Sequence, residues 1–202
     1  MKNNALRLND RKIADINTLL FTESYRRCLY WFFSYPNDAL SLSDLAKNLR
    51  ISKTNARQIV TDLIQKGFLL KEEIGKVWRI SVNKDHFYNK TLKIAYNLDM
   101  VYSALPIIID EIVKKITPNY KSIILFGSYR RGDNDDKSDL DIAVETSENE
   151  NVKLHEIFRI DLGHVKKIRI NLIIFNRNKI DLNLFNNIAN GIVLDGFLEV
   201  RP

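Results

Sequence analysis

Residues 125–144 read LFGSYRRGDNDDKSDLDIAV: the end of an apolar run, a Gly-Ser turn, a polar loop, then two aspartates one residue apart. From Asp139 to Val144 polar and apolar positions begin to alternate with a strand's period of two. The carboxylates of Asp139 and Asp141 therefore project from one face, while Leu140 and Ile142 fill the other. Two carboxylates that close repel unless a cation lies between them. Hard oxygen ligands of this kind suit Mg2+, which takes one or two carboxylates together with substrate phosphate oxygens. Upstream, the apolar run 123–126 breaks at Gly127-Ser128, where backbone N–H groups at a helix start can cradle a phosphate. Strand, Gly-Ser turn and Asp-x-Asp together make a candidate clamp for phosphate and metal.

Working outward toward the C-terminus, residues 146–150 read as a charged turn. Residues 151–160 read as a helix with Val152, Leu154, Ile157 and Phe158 on its inner face. A strand at 167–175, a helix at 181–188 and a last strand at 191–194 follow. Strands with intervening helices predict an α/β (α+β) domain over 119–202, a mixed sheet with helices packed on it. In the other direction, residues 84–118 carry apolar side chains at helical spacing with a break at Pro106, which predicts two connecting helices as a linker. Their aliphatic excess also leaves room for a homodimer contact.

Residues 1–83 have a different character. A buried helix is expected over 19–35, with Leu20, Tyr25, Cys28, Leu29, Phe32 and Phe33 at helical spacings and Pro36 as its stop. Ser41 with Asp44 is a capping signal for a second helix at 42–49, and Ser52 for a third at 53–66 that ends at Gly67. On the third helix Ala56, Ile59, Val60, Leu63 and Ile64 form the apolar stripe. Lys53, Thr54, Asn55, Arg57, Gln58 and Thr61 crowd the outside. Strands at 68–71 and 77–82 flank a turn at 72–76, reading as a hairpin wing that carries Lys71, Lys76 and Arg79. This segment resembles a winged helix-turn-helix, which implies a third helix able to enter the major groove of double-stranded DNA. Lys53, Thr54, Asn55, Arg57, Gln58, Lys76 and Arg79 are its candidate DNA contacts, and Trp78 reads as packing.

The charge distribution agrees. Residues 1–85 carry 15 Lys and Arg against 9 Asp and Glu, and the remainder carries 16 of each, so the whole net charge of +6 lies in the N-terminal part. Localised positive charge points to a polyanionic partner for that part. The polar start and the lack of an apolar run near the ~18 residues of a spanning helix predict a cytoplasmic protein without membrane contact. The single cysteine, Cys28, reads as core filler.

The central motif resembles the DNA polymerase beta-like nucleotidyltransferase superfamily, and its small minimal nucleotidyltransferase branch in particular. Gly127-Ser128, ten intervening residues, then Asp139-x-Asp141, with Arg131-Gly132 after the Gly-Ser, follow the family pattern, and the ending NGIVLDG at 190–196 is similar to the end of such domains. The resemblance implies Asp139 and Asp141 as catalytic metal ligands, Gly127 and Ser128 on the triphosphate of a Mg-bound nucleoside triphosphate, and Arg131 bracing it. It implies transfer of a nucleoside monophosphate to a protein or RNA acceptor, with antitoxin action on a HEPN-type toxin as one setting. One position departs: the segment 170–173, Ile-Asn-Leu-Ile, places Asn171 where the family has a third carboxylate. An amide can ligate through oxygen but cannot take a proton from an attacking hydroxyl. That favours an alternative, a DNA-binding transcriptional regulator with a degenerate, nucleotide-sensing nucleotidyltransferase domain. Glu145 shares the strand face but lies about 13 Å beyond Asp141, too far to replace the missing acid. Ser138 is placed to orient the loop, Asp133, Asp135 and Asp136 read as solvated, and Tyr129 could stack on a base or pack on the sheet. His86, His155 and His164 have no partners at metal-ligand spacing.

Overall fold

The computed structural model describes residues 22–115, 119–147 and 152–199. The expected leader and Leu20 lie outside the described residues. Helix α1 (Glu23–Ser34) buries Cys28, Leu29, Phe32 and Phe33 on one stripe, and the buried Cys28 thiol, its pKa pushed up to about 12 by desolvation, is core packing. Helices α2 (Leu42–Leu49) and α3 (Lys53–Gln65) begin where their caps place them. The Ser41 hydroxyl accepts the Asp44 N–H at 3.1 Å and the Ser52 hydroxyl accepts the Asn55 N–H at 3.1 Å, each satisfying a donor that the first helical turn leaves open. The Asp44 carboxylate bonds the Ser41 hydroxyl at 2.7 Å.

Strands β1 (Leu69–Ile74) and β2 (Val77–Val82) pair antiparallel from Leu69–Val82 to Ile74–Val77. The expected five-residue turn is therefore only Gly75-Lys76, and the wing is longer than its sequence suggests. Gly75 takes φ 61°, which a two-residue hairpin turn favours. Glu72 and Glu73, poor strand formers, are kept in the ladder by backbone pairing and by salt links to Arg79 (3.8 Å) and Lys71 (2.7 Å). Three helices and this hairpin form a winged helix-turn-helix.

Helix α4 (Phe87–Lys115) is single; the expected break at Pro106 does not occur. Proline removes one ladder bond, but Val101 and Ala104 before it and Ile108 and Ile112 after it are buried in the core and hold both halves in line. Its length and apolar content would suffice to cross a membrane, which corrects the expectation that no such run exists. The helix instead packs against both halves of the protein. Tyr96 stacks on Tyr30 of α1 at 4.2 Å and bonds Ser34 at 3.0 Å. Gly132 lies so near α4 that a Cβ there would meet Ile94 at 2.7 Å.

The C-terminal part comprises β3 (Tyr120–Leu125), α5 (Gly127–Arg131), β4 (Leu140–Thr146), β5 (Lys153–Leu162), β6 (Val165–Phe175), α6 (Leu182–Ala189) and β7 (Ile192–Gly196). The sheet order is β5-β6-β4-β3-β7, with β4 and β6 parallel and the other neighbours antiparallel. The helix expected at 151–160 is strand β5. A turn at Gly163-His164 folds it back on β6 as a hairpin, and the backbone pairing from Lys153–Ile174 to Leu162–Val165 overrides the helical spacing of its apolar residues.

One buried polar stripe joins the parts. Asn89, Lys93 and Asn97 lie four residues apart on α4, and all are buried. Asn89 donates to the carbonyls of Phe68 (2.9 Å) and Asn83 (2.7 Å) beside the wing. Lys93 donates to the Asn134 carbonyl, and Asn97 to the Tyr129 carbonyl and the Asn134 side chain, each at 2.8 Å. Burial lowers the Lys93 pKa from its ordinary 10.5 to about 8, with Asp135 and Asp133 opposing that shift. Between those pH values the unfolded chain holds more protons than the folded protein, so stability rises with pH across the window, and the penalty is complete below about pH 8. Lys93→Met is expected to remove this Lys93-dependent rise in urea midpoint between about pH 8 and 10. The same slope in variant and wild type would show that the amine is not desolvated.

Candidate functional site

The parallel register of β4 and β6 sets Leu140 opposite Ile170 and Asp141 opposite Asn171, so Asp139, Asp141, Arg169 and Asn171 share one sheet face. The Asn171 amide donates to Asp139 Oδ2 and Asp141 Oδ1, both at 3.2 Å. Arg169 grips Asp139 with both ends of its fork, Nε to Oδ1 at 2.9 Å and a terminal nitrogen to Oδ2 at 2.6 Å. The two acids consequently differ. The Arg169 guanidinium holds Asp139 below the usual carboxylate range, whereas burial, with the Asp139 charge adding to it, pushes Asp141 above it.

Gly127 has a steric role beyond the expected phosphate contact. It takes φ 68°, and a Cβ there would fall 2.1 Å from Asp141 Oδ2. The Asp141 carboxylate thus fills the space that a side chain at 127 would need. Ser128 is half-buried in the one-turn helix α5, and Arg131, exposed at its end, pairs with Asp133 at 2.9 Å. A cavity of about 240 Å3 beside Gly127 is lined by Arg130, Arg131, Asn187 and Asn190, offering cations and amides next to the two acids. Sequence reasoning missed Arg169 and Arg130. Arg169 was detectable as the residue two before Asn171 on a strand, hence on the same face. Arg130 is brought to the cavity by the placement of α5 against α4 and β4 and left no comparable signal.

Other candidates separate from this site. Tyr129 is fully buried, so it packs and does not stack on a base. Asp135, read as solvated, organises its loop: it accepts the Lys137 N–H at 3.0 Å and the Ser138 hydroxyl at 3.0 Å, and Ser138 orients the turn as expected. Glu145 is buried at the other end of the strand, paired with Arg177 at 3.0 Å. His86 packs on Phe68, and the His164 carbonyl accepts the Tyr35 hydroxyl. Among the described residues no three His, Cys, Asp or Glu side chains gather as a metal cluster. The donor set at Asp139 and Asp141 fits one Mg2+: two carboxylates, with the Asn171 amide able to turn its oxygen inward and Arg169 able to swing to solvent. Among the described side chains no third acid joins them; Glu156 of β5 stands opposite Asn171 in the β5–β6 register, hence on the same sheet face, and its side chain lies outside the described residues.

On the N-terminal part, Lys53, Thr54, Asn55, Arg57 and Gln58 are all exposed on α3, and Lys76 and Arg79 are exposed on the wing. Trp78 joins the two: Arg57 lies 4.8 Å and Lys71 4.5 Å from its ring centre. Arg79 is partly neutralised by Glu72.

The fold and site define a winged helix-turn-helix followed by a mixed-sheet domain built around an Asp-x-Asp clamp. Residues 107–194 match the model of the nucleotidyltransferase domain family, and the C-terminal part is such a domain. A chain from the crystal structure of the S. aureus MepR–DNA complex is similar at 13% identity and a TM-score of 0.39, over 51% of this chain and 83% of that one. The winged-helix description rests on the helices and hairpin themselves. No curated protein matches the sequence.

Gly75 and Gly127 both have positive φ, but nothing lies within 4 Å of a Cβ at 75. Gly75→Ala should therefore cost about 1 kcal/mol of backbone strain and leave the site intact. Gly127→Ala should cost more, about 2–4 kcal/mol, and displace Asp141, with loss of magnesium-dependent nucleotide binding. Thermal unfolding and calorimetry of the two variants test this; equal losses would contradict the steric role.

Proposed function

We propose that the protein is a DNA-binding regulator whose nucleotidyltransferase domain binds a nucleoside triphosphate at Asp139 and Asp141 as a sensor. One observation carries this reading: Asp139 is engaged by Arg169 and Asn171, where transfer chemistry calls for a further carboxylate. Nucleotidyl transfer needs a group to take the proton of the attacking hydroxyl, and neither an amide nor a guanidinium-bound carboxylate of lowered pKa is a good base. Binding makes lesser demands. Gly127 and Ser128 present backbone N–H groups to the triphosphate, and Arg131, released from Asp133, braces it together with Arg130. Bound through Asp139 and Asp141, a Mg2+ would supply charge neutralisation for the phosphates.

In this reading residues 1–83 contact double-stranded DNA, 84–118 connect, and 119–202 bind nucleotide, in a cytoplasmic setting. Lys53, Thr54, Asn55, Arg57 and Gln58 face the groove, with Lys76 and Arg79 on phosphates. A second reading, transfer of a nucleoside monophosphate to a protein such as a HEPN-type toxin or to RNA, is supported by the intact Gly127, Asp139 and Asp141 geometry.

Incubation with labelled nucleoside triphosphates, Mg2+ and candidate acceptors separates the two. The sensor reading expects calorimetric magnesium-dependent nucleotide binding by wild type, no binding by Asp139→Ala/Asp141→Ala, and no label transfer by either; label moved by wild type alone selects the transferase. For the other half, DNA affinity should fall steeply with added salt. Arg57→Ala, which removes a cation that also docks the wing through Trp78, should weaken binding about tenfold. Salt-independent retention would exclude groove binding.

A further inference from the structure

A cavity of about 340 Å3 lies between the winged helix and the nucleotidyltransferase domain, away from Asp139 and Asp141. Its walls are Pro36 and Asn37 of the α1–α2 turn, Val82 and Lys84 at the root of the wing, and the loop 132–135. Asn89, Lys90 and Lys93 of α4 form its floor. The volume falls in the range of small-molecule sites, and its position between two folding units is a common one for them.

Two buried floor residues have hydrogen-bonding capacity to spare. Asn89 is 3% exposed, its amide nitrogen is committed to two carbonyls, and its Oδ1 has no partner. Lys93 is 6% exposed and carries three N–H donors, of which the Asn134 carbonyl takes one. At four-residue spacing the two side chains lie on the same face of α4.

The charges around the cavity are unequally committed. Asp133 is held by Arg131, and Asp135 by Ser138, the Lys137 N–H and Asn37. Lys84 touches only the neutral Asn37 oxygen, and Lys90 is exposed at the rim. What remains on offer is three ammonium groups, Lys84 and Lys90 at the exposed edge and Lys93 buried with two donors to spare. Lysines in such a group suit a phosphate, which accepts from several donors at once.

We propose that this cavity is an effector site for a phosphorylated metabolite of nucleoside monophosphate size, its phosphate on Lys84, Lys90 and Lys93. The walls explain what binding there would do. The same ligand would touch the root of the wing and the loop that runs from the Gly-Ser helix to Asp139, and so bear on both DNA contact and the clamp. The site does not depend on nucleotide binding at Asp139.

The probes are AMP and inorganic phosphate, titrated calorimetrically into the full chain in EDTA. Both are expected to bind, since each brings a phosphate to the three lysines, with AMP about tenfold tighter through the contact its nucleoside makes with the cavity walls. Its binding should persist in Asp139→Asn/Asp141→Asn. It should fall about tenfold or more in Lys93→Met and in Lys84→Glu/Lys90→Glu, the latter altering only exposed side chains. Binding lost in the aspartate variant but kept in both lysine variants would place AMP at the clamp and overturn the proposal. So would absence of AMP binding at millimolar concentration, or equal affinity for AMP and phosphate.

Discussion

The buried polar stripe on α4 is the constraint on which the arrangement of the two halves depends. Asn89, Lys93 and Asn97 are too polar to be buried cheaply, and each is satisfied, at least in part, by backbone from another unit: the wing for Asn89, the loop after α5 for Lys93 and α5 itself for Asn97. A hydrophobic helix face would tolerate sliding, because dispersion and area burial are non-directional. Hydrogen bonds to specified carbonyls do not tolerate it. One rotation of α4 therefore fixes both the wing root and the segment that leads into Asp139.

The second constraint is the parallel pairing of β4 with β6. Because side chains alternate, a slip of one residue would turn Arg169 and Asn171 to the opposite face and leave Asp139 and Asp141 unpaired against each other. In register, the Asn171 amide donates to both acids and Arg169 neutralises one, so the two carboxylates coexist without a metal. A third carboxylate at 171 would add charge where the present site removes it. The substitution thus changes the charge of the clamp as well as its chemistry: two carboxylates and the Arg169 guanidinium leave one net negative charge, where a third acid would leave two.

How much of this could be read from the sequence follows from the range of the interactions involved. Caps are local, and Ser41 and Ser52 marked the helix starts. The Asp139–Asp141 alternation is local too, and gave the shared face. What escaped is non-local. Residues 153–162 become a strand because β6 is available as a partner, and a helical spacing of apolar residues cannot register that. Pro106 was read as a break because its backbone penalty is local, whereas the core contacts of Ile108 and Ile112 that offset it come from distant chain. Glu72 and Glu73 read as a turn by propensity but join a strand through their cross-strand partners. Arg169 shows the intermediate case, since its face was computable from Asn171 and only its partner was not.

The position of the loop 132–138 gives these constraints a functional consequence. It is held at one end by α4 through the Asn134 carbonyl and the missing side chain of Gly132, and at the other by the Asp135–Ser138 turn that delivers Asp139 to the sheet. Asn37 of the winged helix also reaches Asp135, at 3.2 Å. If the winged helix contacts DNA as proposed, a shift in it would have a short covalent and hydrogen-bonded route to Asp139, from Asp135 to Asp139 along the chain. Long-range coupling needs an element with two arrangements, and in the proposed reading the Arg169–Asp139 pair would be that element, paired in the structure and parted when Asp139 ligates a cation. Any ligand that favours the open arrangement must do so by its differential affinity for it. In the proposed reading an anion-bearing nucleotide would have that affinity, because its phosphates would compete with Asp139 for the same guanidinium.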